Sequence, residues 1–161
     1  MVTIILKVLL TLALGVVFFQ DMKERQVYWF LFPAIGILGG VLFYNNTLNE
    51  LFMMSVLLNF LCVLILLFIV FVYAHLKLRK SPFKTIGLGD ILLFVGLSLS
   101  FSSVSFIIIF VSSLVFSMLL HLMVKRKSNF KTVPLAGYMS LFFMLTYISF
   151  WTGIIDSLYV I

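Results

Sequence analysis

Five carboxylates are spread through this 161-residue chain, at Asp21, Glu24, Glu50, Asp90 and Asp156. Two of them flank long apolar runs. Asp21 lies in Phe19-Gln20-Asp21-Met22-Lys23-Glu24-Arg25, and Asp90 closes Thr85-Ile86-Gly87-Leu88-Gly89-Asp90. Two carboxylates brought together do not both ionise easily, so one holds a proton while the other can activate water. That is the requirement for aspartic hydrolysis of an amide with neither a metal nor a covalent intermediate. Competing chemistries are poorly supplied. There is no HExxH, no GxSxG, no phosphate-cradling glycine loop and no His/Cys cluster, and Cys62 stands alone, which excludes a disulfide framework and a paired CxxC zinc site. No metal and no cofactor is expected.

Each aspartate also has a plain structural reading. An Asp before an apolar helix is an ordinary N-cap, with glycines making the preceding turn. Against this, only about 12 residues, or about 18 Å of helix, separate Asp90 from the serine turn near Ser102, too short for a span of about 30 Å. The embedded segment is then expected to begin near Thr85, which puts Asp90 about one turn below the surface, where an ionisable group is costly and a functional candidate. Gly87 and Gly89 would let a substrate backbone approach that carboxylate closely. Asp21 reads equally as an interfacial residue in an i,i+4 ion pair with Arg25. Glu50 and Asp156 fall near chain turns or ends on the other side.

The elements that must position these groups are membrane spans. Of the residues, 64% are hydrophobic and only 10% are charged, with a mean hydropathy of +1.29. Soluble domains are about half apolar and about a quarter charged. A soluble enzyme, a nucleic-acid-binding domain and a disordered tail are thereby excluded. Six apolar runs stand out: Val2–Phe19, Val27–Phe43, Leu51–Tyr73, Ile86–Phe101, Val104–Val124 and Val133–Ile154. They predict an all-α integral membrane protein, a bundle of six transmembrane helices in one domain over residues 1–161, with no separate soluble domain. The first run carries its basic residues, Lys23 and Arg25, at its trailing end and no small-x-small cleavage site follows, so it reads as a retained span and not a signal peptide.

Ten of the eleven basic residues fall on alternate connections: Lys23 and Arg25; Lys77, Arg79, Lys80 and Lys84; and Lys125, Arg126, Lys127 and Lys131. The positive-inside rule assigns these loops to the cytoplasm and both termini to the outside. Asp21, Glu24 and Asp90 then share the cytoplasmic side. The basic clusters would also meet anionic lipid headgroups. His75 and His121 read as interfacial, Tyr28, Trp29, Tyr44, Tyr73 and Trp151 as aromatic belts. Pro33 is expected to kink the second span and Pro134 to open the sixth.

These motifs, in this order, resemble the type IV prepilin peptidases and preflagellin peptidases, the GxGD aspartic proteases of the membrane. That family has one Asp at the cytoplasmic end of its first core span, followed by basic residues and a branched residue, as in Asp21-Met-Lys-Glu-Arg-Gln-Val27. Its second Asp ends a Gly-x-Gly-Asp, as in Gly87-Leu-Gly-Asp90, often with a glycine six residues on, here Gly96. Val133-Pro-Leu-Ala-Gly-Tyr-Met139 looks like a weakened copy of the family's opening to its last span. The chain departs from the pattern in three places: Tyr28-Trp29 stand for Pro-Asn, Leu92 for a common Lys, and Gly137 for a second Pro. It also lacks the cytoplasmic insertion with two CxxC pairs of the larger, product-methylating members, and so looks like the short single-domain form. The Tyr-Asp motif of the longer presenilin-type proteases is missing too.

The resemblance implies a membrane aspartic endopeptidase of the inner (cytoplasmic) membrane, with Asp21 and Asp90 as catalytic pair. Its implied partner is a prepilin-like precursor (type IV pilin, pseudopilin or flagellin-like) whose short basic leader precedes an apolar helix. No nucleic acid is involved. The sequence does not divide the base and acid roles between the two aspartates. Two other functions suit the same residues: a small transporter using both carboxylates as proton or cation sites, and a non-catalytic assembly protein of the same fold.

Overall fold

The computed structural model describes residues 1–78, 87–124, 133–155 and 158–159. The described residues form six α-helices: α1 Val2–Glu24, α2 Leu31–Tyr44, α3 Asn49–Tyr73, α4 Leu88–Ser98, α5 Ser103–Val124 and α6 Leu135–Trp151. A π-helical turn, Ala74–Leu78, continues α3, and there is no strand among the described residues. Three of the helices, α1, α3 with its extension and α5, are long and apolar enough to cross a membrane. The other three are shorter apolar helices of 10–17 residues. Arg79, Lys80, Lys84, Thr85, Ile86, the basic residues between Lys125 and Lys131, and Asp156 lie outside the described residues.

The two classes of helix occupy different places. Each long helix buries one narrow stripe at helical spacing: Leu10, Leu14 and Val17 of α1; Ser55, Asn59, Val63 and Leu67 of α3; Phe106, Phe110, Ser113 and Ser117 of α5. Their remaining surface is exposed Leu, Ile, Val, Phe and Met. A helix apolar all round, with one buried stripe, has a hydrocarbon environment on its other faces. The short helices fill the interior. α2 packs on α1 and α4, α4 on α3 and α6, and α6 on α1 and α5.

Small residues let the inner helices close up, because packing within lipid relies on close approach of backbones and not on expulsion of water. At the α2–α4 crossing, a Cβ on Gly36 would stand 3.0 Å from the Gly96 Cα, and one on Gly96 only 2.8 Å from the Phe32 carbonyl oxygen. Gly96 is therefore a packing residue. Gly40 continues the Gly36 row one turn on, against Leu99.

One sequence expectation changes here. Pro33 does not kink a span. Helix α2 begins at Leu31 and not near Val27, after a turn in which the Leu31 N–H bonds the Tyr28 carbonyl, so Pro33 falls in the first turn, where no N–H is required. The serine turn after α4 is buried. At 11 residues, α4 is about 16 Å long, so its C-terminal turn stays inside the bundle, with Ser98, Ser100, Phe101 and Ser102 buried. The Asn59 side-chain amide donates to the carbonyls of Ser98 (3.1 Å) and Phe101 (2.8 Å). Backbone carbonyls away from water need such partners. Pro134 behaves as expected and sits just before α6.

Candidate functional site

Helix α1 runs five residues past the end of its predicted apolar run, to Glu24, and this places Asp21 in its last turn. The end of a helix dipole that carries carbonyls is an unfavourable place for a carboxylate. A different helix compensates. The backbone N–H of Gly137, in the first turn of α6, donates to Asp21 Oδ2 at 2.6 Å across 116 positions of sequence. The first N–H groups of a helix have no partner within it and carry the positive end of its dipole. Pro134 is the N-cap residue of α6 and two small residues, Ala136 and Gly137, stand in its first turn, so a neighbouring segment can reach the donors on that side. At Gly137 a Cβ would lie 3.0 Å from Asp21 Oδ2 and 3.1 Å from Asp21 Cβ. The close approach of α1 and α6 needs glycine there.

Asp90 arrives from α4. Gly87 is the extended N-cap residue of that helix (φ −64°, ψ 145°), and Asp90 lies three residues on. Its carboxylate accepts the Gly87 N–H at 3.3 Å, one half of a capping box. Asp90 is thus a helix-start residue, though not the N-cap itself. It also lies within electrostatic reach of the Ala136 N–H of α6 and of Asp21. Two carboxylates from helices far apart in sequence meet, therefore, at the first turn of one helix. Both are partly buried.

Comparison with protein-family models, with curated proteins and with solved structures finds no match. The resemblance to the GxGD peptidases stands on the motif residues alone, and the fold now gives each of them a place. Gly87 is exposed beside Asp90, where a Cβ would be 3.2 Å from its Oδ2. Gly89 turns to the opposite side: a Cβ would sit 3.2 Å from the Phe32 ring, so its smallness serves the α2–α4 contact. Leu92 is partly exposed on the side of α4 away from the core.

Arg25 does not continue α1 as the i,i+4 pairing with Asp21 presumes. It ends the helix in the left-handed conformation (φ 55°, ψ 21°), and its guanidinium still lies within electrostatic reach of Asp21. Glu24 is exposed, 4.0 Å from the Lys23 amine, and Glu50 lies in the first turn of α3; neither joins the pair. His75 is exposed on the π-turn and His121 lies in the last turn of α5. Among the described residues no three of His, Cys, Asp and Glu come together as a metal site would require.

The sequence reading missed the contribution of α6. Gly137 was visible only as a departure from a proline-containing motif, yet its N–H and its missing side chain position Asp21. The available signal was Pro134 followed within three residues by Ala-Gly: a helix start with two adjacent small residues in its first turn.

Proposed function

We propose that this protein is a membrane aspartic endopeptidase that removes the short basic leader of prepilin-like precursors at the cytoplasmic face of the inner membrane. All six helices are spans, partial or complete, with both termini outside. One observation carries the reading: Asp21 and Asp90, from separate helices, converge on the first turn of α6. A carboxylate pair fixed by backbone donors keeps its geometry without side-chain linkers, and such positioning is what water-activating catalysis needs. A water held between the pair would attack the leader's last carbonyl, one carboxyl taking its proton and the other protonating the leaving nitrogen. The basic residues flanking this end set its cytoplasmic orientation. The exposed aromatics Tyr28, Trp29 and Phe30, on the turn between α1 and α2, hold it at the headgroup level.

The test is co-expression with candidate prepilin-like proteins, following leader removal by the change in substrate mass. Asp21→Asn and Asp90→Asn are each expected to abolish processing while the protein remains in the membrane. Processing that persists in both variants overturns the aspartyl mechanism. A gradient-coupled flux with no change in substrate mass would indicate a transporter instead. A biological role kept by both variants would indicate an assembly protein.

A further inference from the structure

Lys7 is the only basic residue before Lys23, and it lies on α1 at the end of the bundle opposite the carboxylate pair. Its amine stands 5.3 Å from the centre of the Trp151 ring, on the last residue of α6. Lys7 and Asp21 are as far apart on α1 as Gly137 and Trp151 are on α6, fourteen residues, or about 21 Å of helix. The two helices are thus clasped at both ends, by the Gly137–Asp21 hydrogen bond and by a cation over an aromatic ring. We propose that Lys7 and Trp151 form a binding site for the phosphodiester of a phospholipid headgroup, on the side of the membrane away from the pair. The proposal needs only that the chain spans a membrane and holds whatever reaction the carboxylates perform.

The donors at this spot are not consumed by the protein. An ammonium offers three donors and an indole one, and neither group accepts. Among the described residues the Lys7 amine meets no carboxylate and no hydrogen-bond acceptor. The carbonyls that end α6 beside it are already engaged: those of Ile148, Ser149 and Phe150 accept the N–H groups of Thr152, Ile154 and Gly153. Lys7 and Trp151 are both half-buried, and the neighbours of Lys7 on α1, Ile4, Ile5 and Val8, are exposed and apolar. A charge at the edge of hydrocarbon needs an anion, and a lysine stem lets its amine reach the level where phosphodiesters lie. Aromatic rings with a polar edge collect at that same level.

A lipid fits this place better than a free phosphate. Further along both helices towards the pair, Val8 and Leu12 of α1 and Leu145 and Ile148 of α6 are exposed, and acyl chains hanging from a bound headgroup would run along them. Such a lipid ties α1 and α6 to the headgroup layer farther from the pair. At about 21 Å from that layer, in a hydrocarbon core of about 30 Å, the Asp21–Gly137 contact lies within about two helical turns of the opposite boundary. The site therefore fixes how deep the carboxylates sit.

The indole itself reports on the site. Full-length protein carrying Trp29→Phe, which leaves Trp151 as its one tryptophan, is titrated in a neutral maltoside detergent with short-chain phosphatidylglycerol while the Trp151 emission is followed. A saturable change is expected. Adding Lys7→Gln should weaken the binding about fivefold, the worth of one lysine at an anionic lipid surface. Lys7→Arg should keep it, and the unfolding midpoint in lipid-free detergent checks that each protein is folded. A neutral galactolipid of the same chain length should bind about fivefold more weakly or less. Inorganic phosphate should leave the emission unchanged. Equal affinities with and without Lys7→Gln overturn the proposal, as does a galactolipid that binds as well as phosphatidylglycerol. Inorganic phosphate binding as tightly as the lipid makes this a free-anion site and overturns the lipid as its occupant. An emission that no phosphatidylglycerol changes overturns the site altogether.

Discussion

Replacing Gly137 by alanine tests whether the first turn of α6 sets the geometry of the carboxylate pair. The new Cβ would stand 3.0 Å from Asp21 Oδ2 and 3.1 Å from Asp21 Cβ, where ordinary contact begins at 3.4 Å. Rotation of the carboxylate can relieve the first contact. The second involves the root of the side chain, so α1 and α6 must part by about 0.3–0.4 Å. The bond of 2.6 Å from the Gly137 N–H then stretches towards an ordinary length without breaking. Hydrogen bonds to charged groups contribute about 1.5–3 kcal/mol, and weakening one by a third to a half costs about 1 kcal/mol. A barrier raised by that amount slows the reaction roughly fivefold. Displacement leads to a similar figure, since a misplacement of about 1 Å can cost about 100-fold. Stability should change less than activity: alanine gains up to about 1 kcal/mol of helix propensity against about 1–3 kcal/mol for overpacking. The measurement is the rate of leader removal in vesicles, with thermal unfolding followed in the same preparation. Gly15→Ala is the control on the same helix pair, because its Cβ would meet only the Met144 sulfur at 3.9 Å, and it should leave both quantities unchanged or raise stability slightly. A Gly137→Ala protein that unfolds normally and cleaves at the wild-type rate would refute the idea that α6 positions Asp21.

Other perturbations address the scaffold and the pair. Gly96→Ala drives a methyl against the Phe32 carbonyl oxygen, 2.8 Å away, and should lower stability by about 1–3 kcal/mol, read as a fall in the unfolding midpoint in detergent. Asn59→Leu removes both amide bonds to the α4 turn and should cost about 1–3 kcal/mol, at about 0.6–1.7 for each bond, while sparing the pair at the other end of α4. The rate of leader removal should describe a bell against pH, one carboxyl being needed ionised and the other protonated; a rate independent of pH across the carboxylate range would exclude a shared-proton pair.

Hydropathy made the helices legible because lipid-facing residues have nothing to encode except being apolar. It located all six runs and misplaced mainly the ends that matter to the site. Helix α1 continues through Gln20, Asp21 and Lys23 because a helix at a membrane surface loses little by carrying polar residues into its last turn, so polarity alone did not mark its end. Pro33 was misread for a related reason: the run beginning at Val27 contains the turn Tyr28–Phe30, whose aromatic residues count as apolar although they bend the chain. The short α4 was legible as a discrepancy of length, and the buried serine turn is its consequence. Asp21 and Asp90 stood out because carboxylates are scarce here. What brought them together did not, since it is made of backbone: the start of α6, its Gly137 N–H, and the absence of a side chain at Gly137. Residue types record side-chain chemistry, and a helix terminus donates whichever residues it is built from.

The packing directly behind the carboxylates has a consequence for the membrane as a barrier. Behind Asp21 lie Val17, Leu14 and Leu10; behind Asp90, Leu93 and Leu97; behind Gly137, Met139, Phe143 and Tyr147, all buried. Phe101 closes this column against Phe143 and Tyr147, with ring centroids 5.6 and 5.2 Å apart. The floor beneath the carboxylates is therefore packed and apolar. On the proposed reading, with the pair at one face of the membrane, water that reached the carboxylates would meet this packed apolar floor and find no path to the other face.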